Sequence, residues 1–215
     1  MHLLKPGQPV LMLAPHTDDV ELGCGGTLAR MLREGYEVHV AAFSSAADSI
    51  PGGFPLDTLQ KEFRAACASF GLRQTQVHLY NYPVRKLNFH RQDVLEDLVK
   101  LRSKLDPSVI FIPATTDLHQ DHETLSAEGL RAFKERTVLG YELPWNHIEF
   151  SANAFITLTT GDLQAKWQAL EHYETQLYLK RPYFTREFVE GLARVRGSQV
   201  KVEFAEAFQV LRVAL

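Results

Sequence analysis

Residues 10–27 read VLMLAPHTDDVELGCGGT, and this stretch decides the fold. Val10, Leu11, Met12 and Leu13 form a short apolar run that stops at Pro15, the pattern of a buried strand. His16, Asp18 and Asp19 follow at once. Residues 21–33 then carry helical spacing, opening beside Gly23, Gly25 and Gly26 and ending at Gly35. A buried strand running into polar, ligand-type residues and then a helix is the repeating unit of an α/β fold. In such folds ligands gather beyond the carboxyl ends of the strands.

The same alternation continues along the chain. Residues 38–43, 77–80 and 109–112 are short runs rich in β-branched residues and read as strands. Residues 59–70 and 94–105 have amphipathic helical spacing, closed by Gly71 and by the Asp106-Pro107 break. Residues 44–55, rich in Ser, Ala, Gly and Pro, read as a loop. Further on, 123–136 predicts a helix, 138–141 and 154–158 predict strands, and 163–179 predicts one longer helix capped by Thr160 or Asp162. A helix over 183–194, a turn at Gly197 and Ser198, and a half-buried strand through Val200, Val202 and Phe204 complete the reading. The expectation is a single domain over residues 1–215, an α/β, Rossmann-like three-layer sandwich around a mostly parallel sheet.

Composition narrows the partners. The chain has 215 residues, 45% of them hydrophobic, enough for one sizeable core. Its 23 Lys and Arg are dispersed among 26 Asp and Glu for a net charge of -3, which argues against a nucleic-acid footprint. No apolar run is long enough to span a bilayer, and Lys5, Gly7, Gln8 and Pro9 interrupt the N-terminus as an export signal, so a cytoplasmic protein with no membrane partner is expected. Cys24 and Cys67 do not make a disulfide scaffold. Two basic groups, Lys180, Arg181 and Arg186 and then Arg194, Arg196 and Lys201, read as solvated faces that could meet an anionic substrate. Tyr173, Tyr178, Tyr183 and Phe184 read as packing anchors, with a carbohydrate-binding wall as the alternative.

Two strings carry the chemistry. In PHTDD, His16 and Asp19 leave a strand end three residues apart, and imidazole with carboxylate is a good donor pair for Zn²⁺. Asp18 beside them is placed to take a proton from water, although two acids at a helix start also suit capping. The second string, DLHQDHE, offers His119, Asp121 and His122 after another predicted strand. A helix beginning near His122 would turn that residue inward and leave His119 on the loop. The N/O donor set suits zinc and also accommodates Fe²⁺. His39, His78, His90 and His147 lack such company and read as structural, and His172 reads as a polar helix residue.

These residues resemble the PIG-L, or LmbE-like, family of zinc-dependent N-deacetylases. PHTDD at 15–19 resembles the family's AHPDD, and HQDH at 119–122 resembles its HPDH. KWQALEHYETQ at 166–176, and Arg196 and Gly197 followed by AEAF around Glu206, are similar to its later signatures. VELGCGGT at 20–27 is particularly similar to the branch that deacetylates N-acetylglucosaminyl-malate in bacillithiol synthesis. The resemblance implies His16, Asp19 and His122 as zinc ligands, Asp18 as general base, His119 as the group polarising the carbonyl, and Asp121 as the residue orienting His119. It points to Glu62 and His172 for substrate contacts, with Arg64 and Arg196 as further candidates. It also implies removal of an acetyl group from an N-acetylated amino sugar or glycoconjugate, and assembly as a homo-oligomer, a trimer or hexamer. Leu59 stands where the family often has arginine, and LYNYP at 79–83 stands where an aspartate is common. The rival readings are an amidase acting on another small N-acyl compound and a noncatalytic metal- or sugar-binding module.

Overall fold

The computed structural model describes residues 8–214. In chain order the elements are β1 Val10–Ala14, α1 Asp19–Arg33, β2 Val38–Ala42, α2 Thr58–Ser69, β3 Val77–Leu79, α3 Arg91–Leu105, β4 Val109–Pro113, α4 Gln120–Ala132, β5 Thr137–Tyr141, β6 Ala154–Leu158, α5 Thr160–Leu170, α6 Glu174–Tyr178, α7 Arg186–Gln199 and β7 Phe204–Arg212. The strands form one sheet in the order β3-β2-β1-β4-β5-β7-β6. The first five run parallel, while β7 pairs antiparallel with both β5 and β6.

The period of two in each strand divides the core. Val10, Met12 and Ala14 of β1 join α1, α2, α5 and α7 on one face of the sheet. Leu11 and Leu13 join α3 and α4 on the other. The result is helix, sheet, helix, the three layers expected of an α/β chain whose central strands are buried on both sides. Among the described residues no helix is long and apolar enough to cross a membrane.

The chain builds outward from β1 through β2 to β3, then returns to place β4 on the other side of β1. The carboxyl ends of β1 and β4 therefore flank the point where the winding reverses, which is where a crevice opens. Both chemistry-bearing strings leave the sheet there.

Helix α1 is broken at Cys24, whose backbone is not helical (φ -148°, ψ 26°). A break frees peptide groups that must find new partners. Glu206 of β7 accepts the Gly26 and Thr27 N–H groups at 3.0 and 2.7 Å. Lys166 of α5 donates to the Leu22 carbonyl and to Glu206, both at 2.7 Å. One buried ion pair thus closes the break. Small residues make the approach feasible: a Cβ on Gly26 would lie 2.5 Å from Leu158, and one on Gly23 would lie 2.3 Å from the Tyr141 ring.

Three expectations are corrected. The helix over 163–179 is two helices, because the chain bends so that Tyr173 can enter the core, where its hydroxyl donates to the Thr17 carbonyl and lies 3.0 Å from Glu21 Oε1. Its cap is Thr159, in a reciprocal pair with Asp162. Helix α7 starts at Arg186 and extends through Gly197 and Ser198. Gly197 is needed there by packing, since a Cβ would meet the Glu203 carbonyl oxygen at 2.6 Å. The last strand begins only at Phe204, after a turn in which Lys201 takes a left-handed backbone (φ 60°).

Replacing Glu206 by Gln keeps its shape but leaves Lys166 as an unbalanced buried charge. A loss of about 3–5 kcal/mol is expected, read as a fall in melting temperature of roughly 10 °C. A melting curve coincident with wild type would show that the pair does not hold the break.

Candidate active site

Because α1 begins at Asp19 and α4 at Gln120, the two strings reach the crevice as a strand end, a short turn and a first helical turn. His16 sits on the turn after β1, and His122 sits in the first turn of α4 facing inward, 2% exposed. His16 Nδ1 lies 3.1 Å from Asp19 Oδ2. His122 Nε2 lies 3.3 Å from that same His16 nitrogen and 3.4 Å from the same Asp19 oxygen. Ligand atoms about 2.0–2.1 Å from a tetrahedral zinc are themselves roughly 3.3–3.4 Å apart. The triangle therefore has the right edge and donor chemistry for such an ion. His119 stands close by, so that His16, His119 and His122 form a second metal-capable set with one nitrogen each within 4.8 Å of the others. The set containing Asp19 is the tighter one.

Two of these histidines, His16 and His122, are held from behind by carboxylates. His16 Nε2 donates to Asp121 Oδ2 at 2.9 Å, and His122 Nδ1 donates to Asp117 Oδ2 at 2.7 Å. These bonds leave Nδ1 of His16 and Nε2 of His122 for the site, the arrangement that metal-binding histidines commonly adopt. The resemblance implied that Asp121 orients His119, but its carboxylate touches His16. Only its backbone N–H meets His119, donating to Nδ1 at 3.2 Å. Asp117 opens the same DLHQDHE string, and its one signal in the sequence is a carboxylate five residues before a candidate ligand. It also accepts from the His119 N–H and from Asn146 Nδ2.

The charges follow this geometry. Burial opposes a charge on His16, but the Asp19 and Asp121 carboxylates outweigh it and hold the imidazole up at about 10. Burial likewise works against Asp19, yet His122 and His16 keep it at about 2. A cation at the triangle would meet the same negative charge that retains this proton. Burial and the neighbouring Asp19 raise the Asp18 carboxyl to about 6, while His16 and Arg181 pull the other way. His119 is lowered to about 4 by burial and by His122 and His16, so it is neutral near pH 7. With Nδ1 accepting from the Asp121 N–H, the proton of neutral His119 lies on Nε2.

Asp18 occupies the cap position of α1 but makes no capping bond with its side chain. It lines a cleft of about 360 Å³ together with His16, Asp19, His119 and His122. Part of the remaining wall is aromatic, where Tyr183 stacks on Trp145 at 3.8 Å between centroids. Another part is apolar, from Ala46, Leu59 and Val84. Trp145 was not anticipated, and Tyr183 is the member of its aromatic group that reaches the cleft. Tyr173 and Phe184 are core, and Tyr178 is exposed.

None of Glu62, Arg64, His172 and Arg196 lines this cleft. Glu62 is buried and anchors α6, accepting the Thr175 N–H at 2.9 Å and its hydroxyl at 2.6 Å. Arg64 and His172 are exposed elsewhere. Arg196 is paired with Glu142 through both ends of its guanidinium.

Comparison with known proteins gives the family and the fold. Residues 11–133, more than half of the chain, match PIG-L, described as GlcNAc-PI de-N-acetylase. The chain belongs to the PIG-L family, and the matched span takes in both strand-end strings. A curated relative, the uncharacterized deacetylase YaiS of Escherichia coli K12, is 26% identical over 77% of this chain and 90% of its own. The crystal structure of the conserved protein TT1542 from Thermus thermophilus superposes with a TM-score of 0.81 at 26% identity, covering 96% of this chain and 95% of that one. The N,N'-diacetylchitobiose deacetylase of Pyrococcus horikoshii shares the fold at a TM-score of 0.77 and 18% identity, over 95% and 84% of the two chains.

If the carboxylates behind the histidines set the donor geometry, Asp121→Asn and Asp117→Asn should each weaken zinc retention by about 10–100-fold. A competition titration against a chromogenic chelator measures this directly. Wild-type affinity in both variants would remove the two carboxylates from the metal site.

Proposed function

We propose that this chain is a zinc-dependent amidase that removes the acetyl group from an N-acetylated amino sugar or glycoconjugate, holding its metal through His16, Asp19 and His122. The observation that carries the reading is the Asp18 carboxylate. It is unspent on helix capping and lines the same cleft as three donor atoms spaced for one small cation. A module that only stored metal or bound sugar would need no such group.

When bound, zinc supplies a Lewis acid that makes water a better nucleophile and polarises a carbonyl, and the N/O donors would also accept Fe²⁺. Asp18 takes the proton of the attacking water as its oxygen bonds to the acyl carbon. His119, kept neutral with its proton on Nε2, donates a hydrogen bond to the carbonyl oxygen as negative charge grows there. When the C–N bond breaks, the proton held by Asp18 passes to the departing nitrogen, giving an amine and a carboxylic acid. A carboxylate that lines the cleft and makes no capping bond is free for both tasks.

The stacked Tyr183 and Trp145 offer a flat apolar face of the kind sugar rings pack against, which supports the amino-sugar reading. The names of the family and of the archaeal relative, GlcNAc-PI de-N-acetylase and diacetylchitobiose deacetylase, point the same way. The apolar strip of Ala46, Leu59 and Val84 favours the second reading, a small N-acyl compound with a hydrophobic body.

Asp18→Asn should keep its zinc and lose amide cleavage by about 10² to 10⁴. Metal analysis alongside acetate release, with mass spectrometry of free, malate-linked, lipid-linked and nucleotide-linked N-acetyl amino sugars, separates chemistry from ligand loss and selects the substrate. Unchanged turnover in the variant would sink Asp18 as the base. Efficient cleavage confined to non-sugar amides would sink the sugar while leaving the amidase.

A further inference from the structure

The aromatic wall of the cleft and the metal triangle come from different strand ends, and one residue ties them together. Trp145 belongs to a short turn, Pro144–Asn146, in the segment that follows β5. His122, with Asp117 behind it, belongs to the segment that follows β4. Asn146 lines the cleft and grips two consecutive residues of that second segment. Its side-chain Nδ2 donates to Asp117 Oδ2 at 3.2 Å, and its backbone carbonyl accepts the Leu118 N–H at 3.0 Å.

The oxygen that Asn146 reaches is the one that matters for the metal. Asp117 Oδ2 also receives His122 Nδ1 at 2.7 Å, while Oδ1 receives the His119 N–H at 2.9 Å. A carboxylate only accepts, so the Asn146 amide must turn its NH2 toward it, and such a bond is charge-assisted and directional. Asp117 is 4% exposed, which leaves little room for water to replace a lost donor. A second tie lies alongside. His147 Nε2 accepts the Leu143 N–H at 3.3 Å, so its proton is on Nδ1, which donates to Thr116 Oγ1 at 3.1 Å. Residues 116–118 are thus stapled to the β5 segment, and among the described residues Asn146 is the only side chain of that segment bonded to Asp117.

We propose that Asn146 is a positioning residue for the reaction. It fixes the direction of Asp117, and through it His122 and the backbone of His119, and it holds the Trp145 wall in register with them. It lies beyond residues 11–133 and outside every string that carries the family resemblance. A residue that touches neither metal nor reacting atoms can still govern rate, because a misplacement of about 1 Å costs up to about 10²-fold. A ring resting on Trp145 is presented to the metal by the same turn. Loosening the staple therefore misaligns the reacting carbonyl more than it weakens binding.

Turnover enters only through the amidase reading on which this role rests, whereas zinc retention is independent of it, so both are measured. Asn146→Leu nearly keeps the shape of the side chain and removes its donor; Asn146→Gln keeps a donor on a longer stem. Each is compared with wild type by melting curve, by zinc competition against a chromogenic chelator, and by acetate release from N-acetylglucosamine and N,N'-diacetylchitobiose. The Leu variant should hold zinc about tenfold more weakly. Its kcat should fall about tenfold or more while KM stays within about twofold of wild type. The Gln variant should recover part of both losses. Where the Leu variant does not fold, Asn146→Ala carries the same comparison. Wild-type zinc affinity in a folded variant overturns the proposal; if KM alone rises beside it, Asn146 is a substrate contact instead. Weakened zinc retention with neither sugar cleaved, even by wild type, leaves the positioning role standing and counts against the amino-sugar reading.

Discussion

The site depends on histidines that are gripped from behind. His16, from the turn after β1, is fixed by Asp121 of α4, and His122 of α4 is fixed by Asp117 of the loop that precedes it. Asp19, from the first string, closes the triangle by approaching both histidines through one oxygen. The two strings are thus woven together, because the carboxylate that orients the first string's histidine belongs to the second. Asp121 also receives the N–H groups of Arg85 and Leu87, at 2.5 and 3.1 Å, so a third loop is pinned to the same point. Removing that carboxylate would leave three donors unpaired in two other segments at once.

The frame behind this weave is equally specific. Gly23 packs against Tyr141 and Gly26 against Leu158, one on each side of the break at Cys24. It is sustained by Lys166 and Glu206, which satisfy peptide groups on both sides of it. Tyr173 braces the start of the same helix through the Thr17 carbonyl and Glu21. Burial pushes the Glu21 carboxyl up to about 8, leaving it an uncharged partner for that hydroxyl near neutral pH. The signatures around Lys166, Tyr173 and Glu206 are therefore scaffolding that acts on the site through α1.

Most of the parallel half of the sheet was legible because its information is local. The runs at Val10, Val38 and Val109 alternate between two faces that are both apolar, and each is followed by a helix with a clean stop. The later half was less so. Residues 163–179 have unbroken helical spacing, and only the pull of Tyr173 into the core, with Glu62 ready to receive Thr175, divides them. Alternation through Val200 and Val202 mimicked a strand, but the left-handed turn at Lys201 postpones pairing to Phe204. Propensity cannot register a partner that lies more than a hundred residues away.

The candidate ligands divide along the same line. The sequence by itself determined the donor types, since histidine and carboxylate side chains at strand ends carry their chemistry wherever the chain takes them. It also determined that β1 and β4 would be strands with those donors at their carboxyl ends. Only the tertiary structure decided that these strands are neighbours at the reversal of the sheet, that Asp121 serves His16, and that Asp117 serves His122. It likewise decided that Glu62, Arg64, His172 and Arg196 stand outside the cleft while Arg85, Trp145, Arg181 and Tyr183 line it. A side chain's reach is only a few ångströms, so which loops converge within it is settled by the packing of whole layers and not by spacing along the chain.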